Sequence, residues 1–218
     1  MWWAGAVQQW SVVVPAKRLT TAKTRLTPLT EELGAGHADL VLALLADTVA
    51  AARRSPAVGL VLVVTDEPRA AAVVTALGAQ TTGDEPDAGL NAALAHGARV
   101  ARLRGGDPVA ALSSDLPALR PDELTAALRA AAAVPRAFVP DAAGTGTTLL
   151  AARDGELGPR FGPGSAAAHA AAGAVPLDGD WPGLSRDVDT PADLHAAYRL
   201  GVGPRTTGFL EVTSWPPG

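Results

Sequence analysis

The feature that most restricts this chain is an alternation. Short, nearly unbroken runs of β-branched and other apolar residues are each followed by a longer, alanine-rich stretch with helical spacing. Residues 10–14 (WSVVV) and 59–64 (GLVLVV) carry apolar side chains at successive positions, and a strand of that kind has to be covered on both faces. Strands are expected over residues 10–14, 59–64, 79–82, 108–112, 137–139, 147–151 and 174–177. Helices are expected over 30–53, 69–77, 89–104, 120–133, 165–172 and 191–200. The helix at 120–133 has Pro121 in its first turn. The closing helix has Thr190 as its cap, Pro191 at its first position and Asp193 where a capping box needs it. Strand–helix alternation predicts an α/β fold with a mostly parallel sheet and helices on both faces.

A chain of 218 residues with 48% apolar content suits one such domain. Residues 1–9, with Trp2 and Trp3 but no basic region, read as a short extension. Residues 10–203 form the expected domain, and 204–218, ending in Pro-Pro-Gly, a loosely held tail. The absence of cysteine excludes a disulfide scaffold and a thiolate metal site, and is compatible with a reducing compartment. A net charge of −4 without a long run of one sign gives no support for a nucleic-acid partner. The apolar stretch at 40–52 is interrupted by Asp47 and is too short to cross a bilayer. The expectation is a cytoplasmic protein, monomer or homodimer, with neither membrane nor nucleic acid as partner.

In such sheets the ligand sits beyond the carboxyl ends of the strands. The first strand is followed by Lys17, Lys23 and Arg25, the second by Asp66, the strand at 108–112 by Asp115, and the last helix is preceded by Asp187 and Asp189. Cations and carboxylates brought to one rim suit a metal–polyphosphate complex. Asp115, in Ser113-Ser114-Asp115-Leu116-Pro117, is either a ligand for a hard cation or an Asp bonded to its own turn. Alternation puts Asp187 and Asp189 on one side of an extended segment. Asp187 is preferred as the second metal carboxylate, because Asp189 is close enough to the helix to serve its N-terminus.

Two glycine-containing runs, residues 144–148 (GTGTT) and 161–165 (FGPGS), could let backbone amides close on the phosphate and carboxylate of an acceptor, or be ordinary turns. Gly89 and Asn91 open a helix where they could contact a base or ribose. Neither a dinucleotide fingerprint nor a Walker lysine loop is present. Ser165 and His169 lie one helical turn apart, but no nucleophile elbow accompanies them, so a hydrolase reading is set aside.

Residues 15–26, 112–117, 144–148 with 161–169, and 187–194, taken in this order, resemble the 2-phospho-L-lactate and phosphoenolpyruvate guanylyltransferases of coenzyme F-420 biosynthesis. The resemblance covers residues 10–203. It implies a three-layer sandwich with a mixed central sheet, like that of nucleoside-diphospho-sugar transferases of the GT-A-like kind. It further implies magnesium held by Asp115 and Asp187, phosphoenolpyruvate held by Thr147, Gly162 and Ser165, and GTP phosphates faced by Lys17, Lys23 and Arg25. Asp66, Gly89 and Asn91 join the expected nucleotide set. The implied activity is transfer of GMP from GTP to a small phosphorylated acid, with handover to the next enzyme of the pathway. The alanine- and arginine-rich composition suits a GC-rich actinobacterial gene and so favours phosphoenolpyruvate as acceptor. The competing expectations are a molybdopterin or sugar-phosphate nucleotidyltransferase, and a GTP-binding module without catalysis.

Overall fold

The computed structural model describes residues 9–16, 23–34, 36–85, 87–213 and 215. Lys17 and most of the expected N-terminal extension lie outside the described residues. Seven strands form one sheet: β1 (Trp10–Pro15), β2 (Val58–Val64), β3 (Gln80–Thr82), β4 (Val109–Leu112), β5 (Arg136–Pro140), β6 (Thr147–Ala152) and β7 (Val175–Pro176). Their order is β3-β2-β1-β4-β6-β5-β7. All neighbouring pairs are parallel except those made by β6, which runs antiparallel to both β4 and β5. The sheet is therefore mixed and mostly parallel.

The strands are apolar at successive positions because each side chain meets a helical layer. Val12 and Val14, Val61 and Val63, Ala110 and Leu112, and Leu149 and Ala151 face one layer. That layer is built from α2 (His37–Arg54), α3 (Pro68–Ala76), α5 (Pro121–Ala131) and α7 (Pro182–Ser185). The intervening residues Val13, Leu62, Val109, Ala111 and Leu150 pack on α4 (Leu90–Gly105) and α6 (Ser165–Ala171). The close approach of α4 requires a glycine: a Cβ on Gly97 would come within 2.6 Å of both Val13 Cγ1 and Val64 Cγ2.

A third cluster lies outside the first helical layer, where α1 (Thr27–Glu32), α2, α8 (Pro191–Leu200) and α9 (Pro204–Val212) bury Leu26, Leu40, Leu44, Leu194, Leu210 and Trp215. It corrects two expectations. The helix expected over 30–53 is two helices, because the chain turns at Gly34, which takes φ +61, and restarts after Gly36. Of the loosely held tail expected from residue 204, the part Pro204–Val212 is instead a helix packed on α2, and residues 214 and 216–218 lie outside the described residues. The buried carboxylate of Asp47 accepts hydrogen bonds from the backbone N–H groups of Arg205 (3.1 Å) and Thr206 (2.8 Å), satisfying donors that the start of α9 leaves unpaired. No described helix is long and apolar enough to cross a membrane.

Candidate active site

A cleft of about 700 Å³ opens at the edge of the sheet where β1, β4 and β5 end and β6 begins. The topology explains its position. Parallel strands deliver their following loops to one edge, and the antiparallel β6 delivers its first residue, Thr147, to the same edge. Backbone hydrogen bonds tie these loops together. Ser113 N–H donates to Thr148 (2.8 Å), Val188 N–H to Asp115 (3.1 Å), Ala166 N–H to Thr145 (3.1 Å) and Ala142 N–H to Ser185 (2.8 Å). The turn that presents Asp115 is held from below by Thr48, whose hydroxyl donates to the Leu44 carbonyl and accepts from Leu116 N–H, both at 2.9 Å.

Of the expected site residues, the cleft brings together Lys23, Arg25, Asp115, Thr147, Gly162, Ser165 and Asp187. Asp189 lines it as well, which corrects its expected service to the helix: α8 is capped by Thr190 and Asp193, as the capping box predicted, and the Asp189 carboxylate bonds Lys23 at 2.5 Å. Asp141, which the sequence reading missed, also lines the cleft and accepts from Thr145 N–H at 2.9 Å. Asp66 is not among the lining residues; its carboxylate accepts from Asp84 N–H (3.1 Å). Gly89 and Asn91 are also outside the lining. The Asn91 amide is spent on the backbone of Phe161, accepting from its N–H (2.7 Å) and donating to its carbonyl (3.0 Å). It fixes the 161–165 loop from α4.

Four carboxylates and two cations thus line the cleft among the described residues. Lys23, expected to face phosphate, is ion-paired with both Asp115 and Asp189. Its backbone is in the left-handed region at φ +56, a conformation that costs a non-glycine residue about 1–2 kcal/mol and so requires such anchoring. Asp115 is almost fully buried, and its ion pair leaves it compensated. Asp187 is less well served. Burial, then the neighbouring Asp189, push its carboxyl above the ordinary range, Asp141 adds to the same effect, and Lys23 opposes it. Among the described residues the carboxylates of the cleft outnumber its cations.

The donor set fits a divalent cation. Carboxylates are hard ligands, and magnesium typically takes one or two of them, with water and phosphate oxygens filling the remaining positions. Among the described residues no group of three or more acidic or histidine side chains is arranged to hold a metal ion by itself. Such an ion would therefore be shared with a ligand that brings oxygens of its own.

The same cleft is lined by the 161–165 loop, in which Gly162 (φ +132) and Gly164 (φ +71) take conformations that other residues rarely adopt, and by the buried Ser165 and Thr147. His169 lies beneath them, fully buried. Its expected neighbour Ser165 is not its hydrogen-bond partner. The ring bonds Thr147 Oγ1 (2.9 Å) and Arg160 N–H (2.9 Å). Burial, then Arg136 and Arg160, lower its pKa to about 4, so it is neutral at physiological pH.

The comparisons with known proteins agree with this architecture. A curated phosphoenolpyruvate guanylyltransferase of Geodermatophilus obscurus is 66% identical over 98% of this chain and 99% of its own length. One from Thermomonospora curvata is 54% identical over 96% of this chain and 92% of its own. A solved structure from Desulfovibrio desulfuricans G20, assigned as a nucleotide-diphospho-sugar transferase, superposes with a TM-score of 0.69 at 20% identity. It covers 95% of this chain and 96% of that one, a likeness of fold. The family described as "Guanylyl transferase CofC like" matches residues 10–213, so the chain belongs to that family and is a nucleotidyltransferase.

Proposed function

We propose that the chain transfers GMP from GTP to phosphoenolpyruvate, or to 2-phospho-L-lactate, with release of pyrophosphate, as a step of coenzyme F-420 biosynthesis. The observation that carries this reading is that one cleft is lined both by four carboxylates and by Thr147, Gly162, Gly164 and Ser165, which this reading takes as an anion cradle. The names of the curated relatives support phosphoenolpyruvate as the acceptor.

In the proposed reaction an anionic phosphate oxygen of the acceptor attacks the α-phosphorus of GTP. A P–O bond forms to the acceptor as the bond to pyrophosphate breaks, and pyrophosphate leaves with the electron pair. The acceptor phosphate is already ionised at neutral pH, so no general base is needed, and catalysis rests on placement and charge. Asp115 and Asp187 would hold magnesium, which when bound neutralises phosphate charge and polarises the α-phosphoryl group. Lys23 and Arg25 line the same cleft and counter the triphosphate charge. Thr147, Gly162 and Ser165 hold the acceptor's anionic oxygens. Leu90, Leu94 and Phe161 give that side a low-polarity wall that strengthens these contacts. Lys17, outside the described residues, belongs to the same proposal.

Product mass spectrometry tests the reading. With GTP and magnesium, phosphoenolpyruvate or phospholactate should yield one pyrophosphate per GMP adduct formed, with a downstream transferase included to trap a labile product. Pyrophosphate formed only with a molybdopterin or a sugar phosphate would replace it.

A further inference from the structure

Among the described residues, His169 is a buried titratable group beside the cleft that the reaction does not use, and its hydrogen bonds fix its chemistry. The backbone N–H of Arg160 can only donate, so Nε2 of His169, 2.9 Å away, accepts and carries no proton. A neutral imidazole has one N–H, which is then on Nδ1 and donates to Thr147 Oγ1 at 2.9 Å. One lone pair of the Thr147 hydroxyl is occupied by that bond. Its own hydrogen has to be given to something else, and Thr147 lines the cleft.

Resting on the acceptor assignment above, we propose that His169 is a positioning residue: its fixed tautomer makes the Thr147 hydroxyl an obligatory hydrogen-bond donor to an anionic oxygen of the acceptor. The relay runs in one direction, from Arg160 N–H to the imidazole, from the imidazole to threonine, and from threonine to a phosphate or carboxylate oxygen. A hydroxyl whose hydrogen is already directed towards the ligand does not reorient on binding, which is the sense in which the site is preorganised. The surroundings keep the ring in this state. Phe138 and Phe161 pack against it, with ring centroids 5.9 and 5.2 Å away, and Arg136 and Arg160 with burial hold it neutral. The same ring joins the two halves of the cradle, since Thr147 starts β6 and Arg160 leads into the 161–165 loop that Asn91 clamps from the other side.

The relay predicts an effect on acceptor binding that is carried through threonine. With GTP, magnesium and phosphoenolpyruvate, Thr147→Val and His169→Phe should each raise KM for phosphoenolpyruvate on the order of tenfold to a hundredfold, with KM for GTP changed about twofold or less. The double variant should be no worse than the worse single one, because the histidine acts only through the hydroxyl. Thr147→Ser should restore most of the affinity. His169→Asn, whose amide keeps a donor near the Nδ1 position, should retain more than His169→Gln, whose amide reaches the Nε2 position and leaves Thr147 without a donor. Additive losses, or a folded His169→Phe with unchanged KM for phosphoenolpyruvate, would overturn the relay. Ring-nitrogen NMR of the unsubstituted chain decides the matter without substrate or variant: it requires Nδ1–H and a bare Nε2 at neutral pH, and a proton on Nε2 contradicts it. Absence of pyrophosphate from the unsubstituted chain in the same assay refutes the acceptor assignment instead.

Discussion

The sheet interior and the cleft at its edge are built from the same seven strands, yet they obey opposite rules. In the interior the strand side chains are mostly apolar, buried and covered, and β1, β2, β4 and β6 alternate between two helical layers, with Ser11, Thr147 and Thr148 as the buried polar residues of those four strands. At the edge, Asp115, Asp141, Asp187 and Asp189 crowd together with only Lys23 and Arg25 to answer them among the described residues. Burial stabilises the first region. In the second it pushes Asp187 towards its protonated form, a cost that the proposed cation–nucleotide complex would relieve. The contrast teaches that this fold keeps its stability and its chemistry in separate places, so substitutions in the two regions should have opposite signatures.

The largest expected effect lies at the edge. Asp115→Asn should lower the rate of pyrophosphate release by orders of magnitude while leaving far-ultraviolet circular dichroism unchanged; activity within about threefold of the unsubstituted chain would remove Asp115 from the chemistry. In the interior the signature reverses. Leu128→Ala, at a fully buried position on α5 away from the cleft, should cost about 2–5 kcal/mol in denaturant unfolding while turnover per folded molecule is retained. Asp47→Ala removes the acceptor of two N–H groups at the start of α9 and should cost on the order of 2 kcal/mol, first seen as faster amide exchange in α9. A carboxylate outside the cleft thus behaves as a core residue does.

The strands were legible in the sequence because burial on both faces leaves unbroken apolar runs, and every expected strand is present within a few residues. The capping box at Thr190 and Asp193 was legible for a similar reason: the signal is local. What escaped was non-local. The helical spacing of leucines continues across Gly34 and Gly36, so periodicity hid a break that only the left-handed backbone reveals. The docking of α9 depends on Asp47, an acid at an otherwise apolar helix face whose partners lie more than 150 positions later. Asp141 entered the site only when loops from distant strands converged, whereas alternation already puts Asp189 on the same side as Asp187, and its closeness to the helix hid its part in the site. His169 looked unattached in sequence because its partners, Thr147 and Arg160, are brought to it by the hairpin and the loop. Asp115 and Asp187 could be named early because one follows a recognisable strand and the other precedes a recognisably capped helix, and the structure places both at the cleft.

The smallest expected effect is also the most telling, because it combines the two signatures in one residue. The folded-state pKa of Asp187 is raised, so protonation favours the fold. The stability linked to this group is present at low pH and lost as pH rises through the raised value. In a chelator at neutral pH, Asp187→Asn should therefore unfold at a higher temperature than the unsubstituted chain. That gap should close as the pH is lowered.

The direct test of the account is to measure turnover and metal-free melting temperature of Asp187→Asn in one preparation. Turnover lost by orders of magnitude together with a raised melting temperature is the predicted result. A variant that keeps its activity, or that melts lower in the manner of a core substitution, would contradict it.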